Sequence, residues 1–130
     1  MQVKGYSITT TTDLDFDAAR EKVTEELKKQ GFGVLTFIDV QETMKKKIDK
    51  DMEKYVILGA CNPRFASEAL DAEPEIGLML PCNVIVYQQQ GVTHVAAFNP
   101  AEGMAVVDNP NLAEMSEKVT AAMKTVIASF

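Results

Sequence analysis

Two apolar runs near the C-terminal end, Ile76–Gln89 and Val92–Phe98, are separated only by Gln90 and Gly91. No other feature constrains the fold as tightly. Strands joined by so short a glycine-containing turn fold back on each other as an antiparallel hairpin, because a parallel crossover needs a dozen residues or more. A sheet that contains this hairpin is antiparallel or mixed.

The remaining segments supply its neighbours. Residues 2–10 alternate, with Tyr6 and Ile8 on one side and Ser7 and Thr9 on the other, the pattern of a half-buried strand. Asp13 and Asp15 are N-cap candidates for a helix whose stripe is Phe16, Ala19, Val23 and Leu27. Gly31 fits the left-handed position after that helix, and Phe32 packs back on Leu27. Gly33–Ile38 is almost wholly apolar, which predicts a strand covered on one or both faces. Val40, Met44 and Ile48 recur every four residues in a short helix. Lys45, Lys46 and Lys47 are consecutive and splay over about 200° of it, so they form a solvated face rather than an anion site. Tyr55–Ala60 is a strand, and Pro63 opens a helix carrying Phe65, Ala66, Ala69 and Leu70 that ends before Glu73-Pro74. Met104–Val107 is a candidate edge segment. Asn109-Pro110 starts a last helix of about 19 residues with Leu112, Met115, Val119, Met123, Val126 and Phe130 on one stripe.

The resulting order, β-α-β-(α)-β-α-β-β-α, predicts an α+β fold with helices on one face of a mainly antiparallel sheet. At 130 residues, with no linker, repeat or low-complexity run, the chain is expected to form one domain over residues 1–130. A doubly wound nucleotide fold is excluded, because it requires regular βαβ alternation and a glycine-rich first turn. Here the first strand runs into Thr9-Thr10-Thr11-Thr12-Asp13-Leu14-Asp15, whose acidity repels a pyrophosphate.

The balance of 13 Lys+Arg against 19 Asp+Glu, a net charge of −6, argues against a nucleic-acid partner. The N-terminus lacks the apolar core of a secretory signal, and the most apolar stretch, Ile76–Tyr87, is broken by Pro81 and Asn83. A soluble, cytoplasmic chain with no membrane partner is therefore expected, its two cysteines reduced thiols rather than a disulfide.

Chemistry has few places to sit. The motifs GxxxxGK[ST], HExxH, CxxC and GxSxG and the EF-hand loop are all absent. The single histidine, His94, lies in a strand and reads as a half-buried packing residue. No serine occupies the context a Ser-His-Asp hydrolase needs, so no catalytic residue and no cofactor are implied. Seven methionines raise the question of copper, but Met44, Met115 and Met123 fall on helical stripes and no MxxM or MxM cluster exists, so they read as core filling.

What remains is a pair of matched strings, Gly59-Ala60-Cys61-Asn62-Pro63 and Leu80-Pro81-Cys82-Asn83-Val84. Cys61 lies at a strand-to-helix junction, where backbone amides can lower a thiol pKa. Pro81 within an apolar run indicates a bulge or a sheet edge. Asn62 and Asn83 carry both donors and acceptors for irregular backbone. Buried space-filling thiols, a ligand pocket lined by Cys61, Asn62, Cys82 and Asn83, and a redox or metal role all fit these strings. Cys61, Cys82 and His94 together fall one ligand short of a closed structural zinc site, though they would suffice for an open one.

These two strings, with Ala66, Ala69-Leu70 and Ile76-Gly77-Leu78-Met79, resemble domain-of-unknown-function family 302, and the likeness extends from Asp15-Phe16-Asp17-Ala18-Ala19 to the last helix. The resemblance implies helices packed on a curved antiparallel sheet, similar to the TATA-binding-protein-like architecture, and implies no activity. A small-ligand-binding module, expected as a homodimer with its pocket between sheet and helices, is the first functional expectation. Thiol-based sulfur transfer, redox or soft-metal handling is the alternative, and a purely structural interaction domain the third.

Overall fold

The computed structural model describes residues 1–130. Six strands form one sheet: β1 (Gln2–Lys4), β2 (Ser7–Thr12), β3 (Gly33–Asp39), β4 (Tyr55–Cys61), β5 (Cys82–Gln89) and β6 (Val92–Phe98). Their order is β1-β2-β6-β5-β4-β3, and every neighbouring pair is antiparallel. Five helices accompany them: α1 (Phe16–Lys29), α2 (Val40–Ile48), α3 (Pro63–Ala72), α4 (Pro100–Gly103) and α5 (Pro110–Ala128). The α+β class expected from the sequence is the one observed.

Local chemistry sets the ends of these elements. Asp15 caps α1, its Oδ1 accepting from the Ala18 amide at 2.8 Å. At the other end Gly31 adopts φ +81°, the Phe32 amide donates to the Leu27 carbonyl and the Gly31 amide to that of Lys28. This is a complete Schellman closure, with Phe32 and Leu27 both in the main core. Gln90 and Gly91, at φ 52° and 79°, turn β5 into β6 with both central residues left-handed, as a two-residue hairpin of matched twist requires.

Alternation along the central strands defines two faces. Ile8, Val56, Leu58, Ala60, Val84, Val86, Val95 and Ala97 point to the covered face, where they meet Phe16, Val23 and Leu27 of α1 and Met123, Val126 and Ile127 of α5. On the opposite face Tyr55, Tyr87 and His94 stack in a row, with ring centroids 5.3 and 4.7 Å apart. His94 is thus half-buried by an aromatic neighbour, as a packing residue should be. A small satellite cluster of Ala69, Ile76 and Leu112 joins α3 to α5 beyond the sheet's end.

Four local expectations need correction. The strand over residues 2–10 is in fact a hairpin, because Gly5, at φ 53°, turns the chain and leaves Tyr6 exposed at the tip. The apolar strand at Gly33 is not covered: β3 is the sheet's edge, with Leu35 69% and Ile38 47% exposed, and α2 beyond it buries no residue, Met44 included. The run from Ile76 begins as a 3-10 turn over Pro74–Met79, and the strand starts only at Cys82. Pro81, joined to Leu80 by a cis peptide, therefore precedes an interior strand rather than marking an edge. Met104–Val107 is helical rather than extended, Ala105–Val107 forming a 3-10 turn after α4. In the first two cases the apolar character is real but does not lead to burial, since burial depends on distant chain segments.

Candidate functional site

β4 and β5 are neighbours with Ala60 opposite Cys82, so the two Cys-Asn strings meet at one end of the sheet. Cys61, Asn62 and Cys82 line a single cavity of about 40 Å³ at the seam between the main core and the satellite cluster. Asn83 does not share it. As the next residue along β5 it faces the uncovered side, beside Tyr6, Ile85 and Phe98 in a shallow depression. A one-residue step flips a strand side chain to the other face, which is why adjacent residues of one motif part company.

Asn62 is the N-cap of α3. Its Oδ1 accepts from the amides of Arg64 at 3.1 Å and Phe65 at 3.4 Å. The helix amides that would steady a Cys61 thiolate are thereby already engaged, which removes the local reason to expect an activated thiol there. Gly31 makes room for this cap: a Cβ on it would lie 3.0 Å from Asn62 Nδ2. Cys82 is 6% exposed, and burial first, with the neighbouring Cys61 second, pushes its thiol up to about 11. At neutral pH Cys82 is therefore a neutral thiol rather than a nucleophile. His94 sits opposite Tyr87, five residues along β5 from Cys82 and so roughly 17 Å away at the strand rise, and cannot join the two cysteines on a metal.

Other elements complete the wall. Phe65, Ala66 and Ala69 come from α3, Met104 from the residue after α4, and Met115, Ser116 and Val119 from α5. Ser116 Oγ lies 4.0 Å from the Met104 sulfur. An open groove of about 280 Å³ on the solvent side shares Pro100, Met104, Leu112 and Ser116 with the cavity, so these four form the partition between them. Met104 and Met115 were not among the sequence candidates. Met104 falls in a segment without clear periodicity, and Met115 has the spacing of ordinary helix core.

A buried polar network, also unanticipated, steadies this end of the molecule. Thr120 donates to Asn99 Oδ1 at 2.9 Å and accepts from the Ala101 amide at 3.0 Å, while Asn99 Nδ2 donates to the Gly5 carbonyl at 2.9 Å. It ties the β1–β2 turn and the start of α4 to α5, holding the segment that presents Met104.

Residues 8–130 match the family model described as Domain of unknown function DUF302. The chain belongs to this family. The match takes in every element of the DUF302 cavity, and of the elements only β1 lies outside it. This DUF302 chain is also similar to a solved protein described as an uncharacterized conserved protein DUF302 from Bacillus stearothermophilus, at 28% identity, with 95% of this chain and 96% of that one covered and a TM-score of 0.88. No curated protein matches it. Neither likeness assigns the DUF302 fold an activity.

Proposed function

We propose that this chain is a small-ligand-binding module whose site is the cavity between the end of the sheet and helices α3 and α5. One observation carries the reading: residues of both Cys-Asn strings, 21 positions apart in sequence, converge on one apolar cavity. At about 40 Å³ the cavity is roughly a quarter of the 150 Å³ apolar site that holds benzene. The occupant is accordingly a very small apolar or soft species, unless the Met104 side chain swings aside. Joined to the outer groove, the space reaches the low end of ordinary ligand sites, roughly 300 Å³. Both cysteines are free thiols, as a reducing, cytoplasmic setting would keep them.

Thermal-shift measurements with xenon, benzene and thiophilic ions, repeated on Ala66→Leu, test this. Ligand stabilisation in the parent that disappears when leucine fills the cavity supports the site. Stability unmoved by every probe refutes it.

The exposed apolar edge favours one further reading, a homodimer. β3 presents Leu35 and Ile38 beside unpaired backbone groups, and a second copy adding its own β3 would continue the sheet. Light scattering of the parent and of Leu35→Lys checks it: the variant should be monomeric where the parent is dimeric, and a parent that is monomeric at high concentration ends the idea.

A further inference from the structure

Four sulfur-bearing side chains line the same small cavity: Cys61 and Cys82 from adjoining strands, Met104 from the turn after α4, and Met115 from α5. We propose that together they form a site for one soft monovalent cation, Cu(I). The proposal rests on the binding reading above and names the ligand class of that site.

Donor chemistry selects the ion. Thiolate and thioether sulfur favour Cu(I), whereas zinc takes nitrogen, thiolate or carboxylate donors in fours, and calcium and magnesium take oxygen. No group of three His, Cys, Asp or Glu side chains converges anywhere in the molecule, so a zinc set is not available beside these sulfurs. Size and polarity point the same way. A volume of about 40 Å³ has space for an ion stripped of water but not for a hydrated one, and the wall is mostly apolar. A strongly hydrated divalent cation resists such stripping more than a weakly hydrated soft one.

The placement is consistent with shared ligation. Cys61 ends β4 one residue after Ala60, which pairs directly with Cys82, so the two cysteines adjoin along strands about 5 Å apart, and both line the cavity. Ser116 Oγ lies 4.0 Å from the Met104 sulfur, and both residues belong to the partition between cavity and outer groove, which puts one proposed ligand next to solvent. No spacing motif is needed, because four separate parts of the chain contribute. Ligation exchanges a proton for the metal: each thiol that coordinates forms a sulfur–copper bond and releases one proton to solvent, and copper stays Cu(I) throughout.

Titration of the reduced protein with Cu(I), under anaerobic conditions and against a chromophoric Cu(I) chelator, tests the site. One Cu(I) per chain should be withheld from the chelator, with a thiolate-to-copper ultraviolet band. Cys61→Ser should weaken the band, and Cys61→Ser with Cys82→Ser should abolish it. Met104→Leu with Met115→Leu preserves volume and should keep the melting temperature near the parent's while weakening Cu(I) binding roughly tenfold or more. Zn(II) should bind far more weakly. Unchanged affinity in the double leucine variant, equal affinity for Zn(II), or no Cu(I) binding by the parent each overturns the proposal. Should Cu(I) fail while xenon or benzene still stabilises the parent, the binding module survives without the cation; if those probes fail too, both readings fall.

Discussion

Raising the pH past 9 should remove a defined part of this protein's stability through one buried thiol. Cys82 is pushed from an ordinary 9.0 up to about 11, chiefly by burial and secondarily by Cys61. In the unfolded chain it titrates near its ordinary value, so between 9 and 11 the folded state holds a proton that the unfolded state has lost. Stability contributed by a raised pKa is complete below the unfolded value and drains away as pH climbs through the folded one. Two units correspond to about 3 kcal/mol in full, of which about 2 kcal/mol is gone by about pH 10.5. Lysines and tyrosines titrate in the same window, so the experiment is a difference. Urea unfolding of a Cys61→Ser background and of the same background with Cys82→Ala, from about pH 7.5 to about pH 10.5, cancels the common titrations. Cys61→Ser removes only the smaller cause of the shift. Near neutrality the alanine variant should be the weaker by about 1 kcal/mol, having lost a packed sulfur. The gap should close and then invert as pH rises. A gap constant across the range would refute the reasoning, since Cys82 would then titrate alike in both states.

Gly59→Ala should destabilise the fold by roughly 1–3 kcal/mol, because its Cβ would lie 2.0 Å from Thr36 Oγ1 and 2.7 Å from Pro81 Cγ. Adding Thr36→Ala should recover part of that loss in denaturant unfolding, and strict additivity of the two changes would argue against the clash. Thr120→Val keeps shape but leaves Asn99 Oδ1 and the Ala101 amide without their partner, an expected cost of about 1–3 kcal/mol, read as a lower urea midpoint. Asn62→Ala strips the cap of α3 and should cost about 1 kcal/mol, with faster amide exchange at Arg64 and Phe65; protection unchanged at those two amides would show the cap to be idle.

Much of this architecture is legible from the sequence because it depends on neighbours within a few residues. The Asp15 cap, the Gly31–Phe32 closure, Pro63 and Pro110 at helix starts and the left-handed Gln90-Gly91 turn all occur where local rules put them. The antiparallel hairpin follows from that turn, and the rest of the sheet has to accommodate it. Errors arise where the same local pattern has two outcomes. Gly33–Ile38 is apolar enough for a core strand, yet it lies at an edge, where Leu35 and Ile38 stay exposed and Phe37 is covered in part by the Arg20 guanidinium over its ring.

The candidate site divides along the same line. The sequence alone singled out two Cys-Asn strings and identified their asparagines as partners for irregular backbone, a role Asn62 fills as a helix cap. Only the tertiary structure decided that Cys61 and Cys82 share a cavity, that Asn83 faces away from it, and that Met104 and Met115 belong to its wall. The reason is physical. Caps, turns and periodicity are energies of adjacent residues, whereas a cavity is what remains after segments more than 50 positions apart have packed against one register of a sheet.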